Sequence, residues 1–149
     1  MIKRANGILS VLLIIFLLQA GCGSAPADRK AAGATVAVKE LVRSTKSWDG
    51  ALLPPYPEGR PEITILRILI PAGTRLDTHS HPVINAGVLL SGKLTVVSAD
   101  GKTLHLSAGD PIIEVVDTLH YGINEGDVPA EIIVFYAGGE GRPITVVEE

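Results

Sequence analysis

The chain of 149 residues has a single cysteine, Cys22. One thiol excludes an intramolecular disulfide framework and any zinc site built on cysteines. Aromatic residues are scarce as well: one Trp, three Tyr and two Phe. Lys and Arg nowhere gather into a stripe interleaved with aromatics, so the marks of a nucleic-acid partner are missing. The longest apolar run, Ile8 to Leu18, is shorter than the ~20 residues a membrane-spanning helix needs. From residue 35 onward no stretch reads as a helix. What abounds is Val, Ile and Leu in short runs separated by Gly and Pro, the pattern of many short strands joined by turns.

The first residues are laid out as a secretory leader. Lys3 and Arg4 are its positive start, Ile8 to Leu18 its apolar core, and Ala20-Gly21 its small residues directly before Cys22. The segment resembles bacterial lipoprotein signal peptides, in which a Leu-small-small-Cys box ends at a lipidated cysteine. It departs from them at Gln19, with Leu18 one place early. The resemblance implies lipidation at Cys22 and a place on the periplasmic side of a bacterial envelope, held to a membrane by the lipid alone. An ordinary cleaved leader and an uncleaved anchor are the alternatives. The formal charge of −3 becomes about −5 once Lys3 and Arg4 leave, with eleven basic against sixteen acidic residues. Gly23 to Gly33 is small and polar and reads as a flexible tether. The organisation expected is residues 1–21 as signal peptide, 22–34 as tether and 35–149 as one domain.

Within that domain Thr35 to Val42 reads as a first strand. Trp48 to Pro61, with Pro54, Pro55, Pro57 and Pro61, reads as an extended wrap with Trp48 and Tyr56 packed on the domain, lining of a ligand entrance being the alternative. Ile63 to Ile70 is nearly all aliphatic and predicts a strand buried on both sides. Further strands are predicted at Ala86 to Leu90, Leu94 to Ser98, Thr103 to Leu106, Pro111 to Val116, Leu119 to Ile123 and Ala130 to Tyr136, with Ile144 to Val147 as an edge strand. Asp100-Gly101 marks a two-residue hairpin. Eight to ten such strands imply an all-β fold, an antiparallel jelly-roll barrel or sandwich with room inside for a small ligand.

The chemistry is in the histidines. His79 and His81 lie one residue apart, so on a strand they share a face about 7 Å apart at Cα, close enough to converge on one metal ion. His120 begins a later strand. His105 has the opposite parity to Leu104 and Leu106 and reads as a solvated residue. Gly73, His79, His81 and Gly92 fall in register on the first motif of the cupin superfamily, with Asn85 at its Glu position. Gly109, His120 and Asn124 fall on the second, with Val115 and Asp117 where Pro and Gly are usual. The domain therefore resembles a small single-domain cupin. The resemblance implies that His79, His81 and His120 hold a divalent metal (Fe, Mn, Zn, Ni or Cu) inside the barrel, and it makes a homodimer one option for the chain. It leaves the reaction open between metal-dependent oxygenase or isomerase chemistry, non-catalytic metal or metabolite binding, and a structural role.

Asn85 is the departure. A neutral amide is a poorer transition-metal ligand than a carboxylate. It is read as binding substrate or a water, with weak ligation through its oxygen and a vacated position as alternatives. Asp77, of the same parity as the two histidines, and Glu114, near the second motif, are the carboxylates that could replace it. Three neutral imidazoles leave a divalent ion its full charge, which favours a small anionic partner such as a carboxylate or thiolate.

Overall fold

The computed structural model describes residues 35–148. The expected signal peptide, Cys22 and the expected tether lie outside the described residues. Nine strands follow in order within the unit Val38–Glu149: β1 (Pro61–Ile70), β2 (His79–Ser80), β3 (Ile84–Ser91), β4 (Lys93–Ser98), β5 (Thr103–Ser107), β6 (Pro111–Ile113), β7 (His120–Ile123), β8 (Ala130–Gly139) and β9 (Val146–Val147). They build a four-stranded sheet, β1-β8-β3-β6, and a five-stranded sheet, β5-β4-β7-β2-β9. All pairs are antiparallel. The fold is all-β, a jelly-roll sandwich with no helix among the described residues.

Alternation along the strands sorts residues between the faces. On β8, Ala130, Ile132, Val134 and Tyr136 point inward and are buried, while Ile133 and Phe135 point out. Leu89 of β3, Ile112 of β6 and Leu94 and Val96 of β4 join them in the core, with Ile70, Val83 and Leu106. Burying each such aliphatic side chain contributes about 1.5–3 kcal/mol.

Three expectations need correction. Thr35 to Val42 forms no strand; its Val alternation finds no ladder to join, and Val38 is 91% exposed. β1 forms where expected but is not buried on both sides. It is an edge strand whose outward residues Ile63, Ile65 and Leu69 are 53–64% exposed. An unbroken aliphatic run does not encode which face a sheet covers, so the pattern could not tell a central strand from an apolar edge. Pro61 is compatible with such a strand because it stands first in it. Of the two aromatics in the proline-rich wrap, Trp48 packs against the core but Tyr56 is 76% exposed.

The turns keep the conformations their residues allow. Gly92 has φ of +76°, and a Cβ there would meet Pro129 O at 2.7 Å. Asp117, standing where the second motif has Gly, is the one described non-glycine residue with positive φ, at 52°. Aspartate visits this left-handed region more readily than most side chains. Its N–H donates to His81 O at 2.9 Å, tying the turn to the histidine segment.

Asn124 is fully buried and clamps three chain segments. Its Nδ2 donates to Ile70 O (3.0 Å), Pro71 O (3.2 Å) and Val128 O (2.9 Å), and its Oδ1 accepts from Gly126 N (3.0 Å). Asn124→Asp keeps the shape but cannot donate, turning carbonyl partners into repelling neighbours. It is expected to cost about 2–4 kcal/mol, read as a lowered urea midpoint at unchanged m-value.

Candidate metal centre

The three histidines of the two motifs meet at one end of the sandwich. His79 on β2 is the direct ladder partner of His120 on β7, so the register of a two-strand pairing sets them side by side. His81 follows immediately after β2. The ring centroids are 4.5 Å (His79–His120), 4.9 Å (His79–His81) and 5.0 Å (His81–His120) apart. One donor atom from each lies within 4.8 Å of the other two.

Which ring nitrogen faces the centre follows from the outer hydrogen bonds. His79 Nδ1 is 2.7 Å from Asp77 O, His81 Nδ1 is 2.8 Å from Ile144 O, and His120 Nδ1 is 2.8 Å from Thr118 O. A carbonyl only accepts, so each Nδ1 carries the proton and donates. Each Nε2 is thereby left as a lone pair, the tautomer that metal ligation requires. Three buried or half-buried lone pairs aimed at one point have no purpose among themselves. His120 Nε2 in particular is buried without a hydrogen-bond partner. The donor set fits a divalent transition metal with positions left open for another ligand.

The centre opens on a cavity of about 290 Å³. Leu66, Ile68, Leu76, Val96, Ile132 and Val134 supply apolar wall; Asp77, Glu114, Tyr136 and Thr145 supply the polar groups beside the histidines. This low-dielectric setting disfavours charge on His81, His120, Glu114 and Tyr136. Burial pushes His81 down to about 4, helped by His120 and His79 nearby and opposed by the hydrogen bond to Ile144. Burial likewise lowers His120. Burial raises the Glu114 carboxyl to about 7. Tyr136 is raised to about 12, first by burial and then by Glu114. Burial therefore favours the neutral, cation-binding form of His81 and His120 at pH 7.

The remaining sequence-derived residues fall as follows. His105 is exposed and bonds Thr95 Oγ1 at 3.0 Å, away from the centre. Asp77 is exposed at the cavity edge, and its backbone carbonyl orients His79. Asn85 is fully buried between Tyr136, its partner on β8, and Glu114, and it is not part of the cavity wall. Its Nδ2 reaches Val83 O at a long 3.4 Å and its Oδ1 has no partner. Tyr136 and Thr145 were not singled out in the sequence. Tyr136 had a legible signal, since it shares strand parity with the inward Ile132 and Val134. Thr145 had none, because it sits in a loop; it bonds His81 Nδ1 at 3.2 Å.

Residues 66–136 match the family described as Cupin domain. No curated protein matches the sequence. Among solved structures the chain is similar to oxalate oxidase in complex with the substrate analogue glycolate, at 20% identity and TM-score 0.50, over 57% of this chain and 45% of that one. It is similar to the DMSP lyase DddQ from Ruegeria pomeroyi DSS-3, at 20% identity and TM-score 0.51, over 57% of this chain and 42% of the lyase. A conserved double-stranded β-helix protein from Klebsiella pneumoniae matches over 74% of this chain and 99% of its own length, at 21% identity and TM-score 0.51. The match spans less than half of the oxidase and of the lyase. Together these likenesses define the fold as the cupin jelly roll; the grouping of three histidines that could hold a metal is this chain's own geometry.

Proposed function

We propose that this protein is an envelope cupin that holds one divalent metal through His79, His81 and His120 and takes a small anionic molecule at the open side of the metal. The observation that carries the reading is the trio of Nδ1 donations to backbone carbonyls, which leaves three Nε2 lone pairs converging beside an apolar cavity. When bound, the metal supplies a Lewis-acidic positive charge in a low-dielectric cavity, where it attracts an anion strongly. The chain's own groups do the rest. The apolar wall excludes water, the histidines fix the point of attachment, and Tyr136 and Thr145 offer hydroxyls at the rim. Solved structures sharing the fold include complexes with glycolate and with formate, both small carboxylates, which supports a ligand of that class.

Whether binding leads to turnover is decided by the metal. Iron together with oxygen uptake on addition of a carboxylate or thiol favours a metal-dependent enzyme that uses oxygen. Zinc without turnover makes it a metal or metabolite carrier. Titration calorimetry of the metal-loaded protein against carboxylates and thiols is expected to show heat for at least one small monoanion; uniformly absent heat refutes the anion reading. Lipidation at Cys22 would tether the domain on the periplasmic side, and mass spectrometry of the mature N-terminus tests this.

Pairing with a second copy completes the proposal. β1 is an edge strand, and Ile63, Ile65, Leu69 and Phe135 expose apolar surface on the same outer face. Ile65→Lys is expected to convert a dimer to a monomer in sedimentation, without loss of bound metal.

A further inference from the structure

Resting on the metal reading above, we propose that Glu114 supplies the carboxylate ligand that position 85 lacks, from one strand further across the same sheet. Glu114 N–H donates to Asn85 O at 3.1 Å, one step beyond the ladder pair Ala86–Ile113. Residues opposite each other in an antiparallel pair share a face, so a carboxylate at either position is directed to the same interior. Of the two side chains, Glu114 lines the cavity and Asn85 does not.

Glu114 Oε2 lies 3.7 Å from His120 Nε2. Both atoms are buried and neither has a hydrogen-bond partner. The gap is too long for a hydrogen bond. It suits two donors on one cation, since bonds of ~2.1 Å with a wide angle between them put the donors roughly 3–3.7 Å apart. One divalent ion would satisfy both orphaned atoms at once. Glu114 stands outside the three donors that lie within 4.8 Å of one another and reaches only His120 among them; the broad terminal torsion of a glutamate lets its carboxylate turn toward the other two. Ligation by a carboxylate leaves a net charge of +1 at the centre, which a monoanion neutralises. The competing account is that Glu114 only hydrogen-bonds a water in the cavity, a task glutamine performs equally well.

The test is calorimetric titration of the chelator-stripped full chain with Zn²⁺, comparing wild type, Glu114→Gln, the double variant Asn85→Glu with Glu114→Gln, and His120→Ala. Glu114→Gln is expected to bind one ion with affinity reduced 10- to 100-fold, and the double variant to recover at least tenfold. A Glu114→Gln affinity within twofold of wild type, with His120→Ala losing binding, overturns the carboxylate assignment and leaves the histidine site standing. Absence of Zn²⁺ binding by wild type overturns the metal reading itself. Difference infrared spectra of wild type with and without Zn²⁺ give a readout independent of any variant's folding. A metal-dependent shift in a carboxyl band supports ligation, and an unchanged carboxyl region overturns it.

Discussion

His120→Ala is expected to lower the affinity for a divalent ion by about a hundredfold or more, while His105→Ala leaves it unchanged. A structural zinc site binds with about 10–16 kcal/mol spread over four ligands, or ~2.5–4 kcal/mol for each. His120 contributes an Nε2 that is buried, unpaired and held in the ligating tautomer by Thr118 O. Its removal takes away a ligand and widens the cavity floor. No nearby histidine can substitute, because His105 lies exposed on β5 against Thr95. Competition for the metal against a chelator of known affinity measures the difference. Equal losses in the two variants would show that the effect is on folding and not on ligation.

The contrast between these two histidines was legible before any coordinates. His105 had the wrong parity against Leu104 and Leu106, and strand alternation is a local property of the backbone. His79 and His81 were paired by the same rule. The convergence of His120 was not legible from local periodicity, because it depends on the register between β2 and β7, a long-range pairing that the cupin resemblance supplied. The structure replaces that resemblance with a cause: His79 and His120 are direct cross-strand partners. The rest of the fold divides the same way. Strand positions were readable from apolar runs and turn residues. The exposure of β1 was not, since which sheet face is covered depends on elements far away in sequence.

Asn85 shows the limit more sharply. Motif spacing marked it as the place where a carboxylate is absent, but spacing along one strand says nothing about the neighbouring strand. The register of β3 with β6 puts Glu114 beside it. The sequence offered Asp77 and Glu114 alike as replacements for that carboxylate; the register singles out Glu114, just past β6, as the cross-strand neighbour of Asn85.

The metal-free protein is expected to lose the pH dependence that Glu114 imposes when that residue becomes glutamine. Folded Glu114 holds its proton up to about pH 7, against an ordinary value of 4.5. Between those values the folded state binds more protons than the unfolded one, so this group's contribution to stability declines as pH rises and is lost above pH 7. A shift of this size corresponds to about 3 kcal/mol. His81 acts in the opposite sense: its folded value is depressed to about 4, so its contribution is present above pH 6.5 and lost as pH falls toward 4. His120 is lowered by burial too and adds to that slope. In wild type the carboxyl and the imidazoles oppose one another over pH 4.5–6.5, which flattens the stability profile. Glu114→Gln removes one side of this balance. Its stability relative to wild type should therefore rise by about 3 kcal/mol between pH 4.5 and pH 8, read from urea unfolding of chelator-treated protein. Parallel profiles for the two proteins would mean that Glu114 is not held neutral by its surroundings. A rising difference would identify Glu114 as a group that the metal-free fold tolerates at a cost, in the place where a cation would make it favourable.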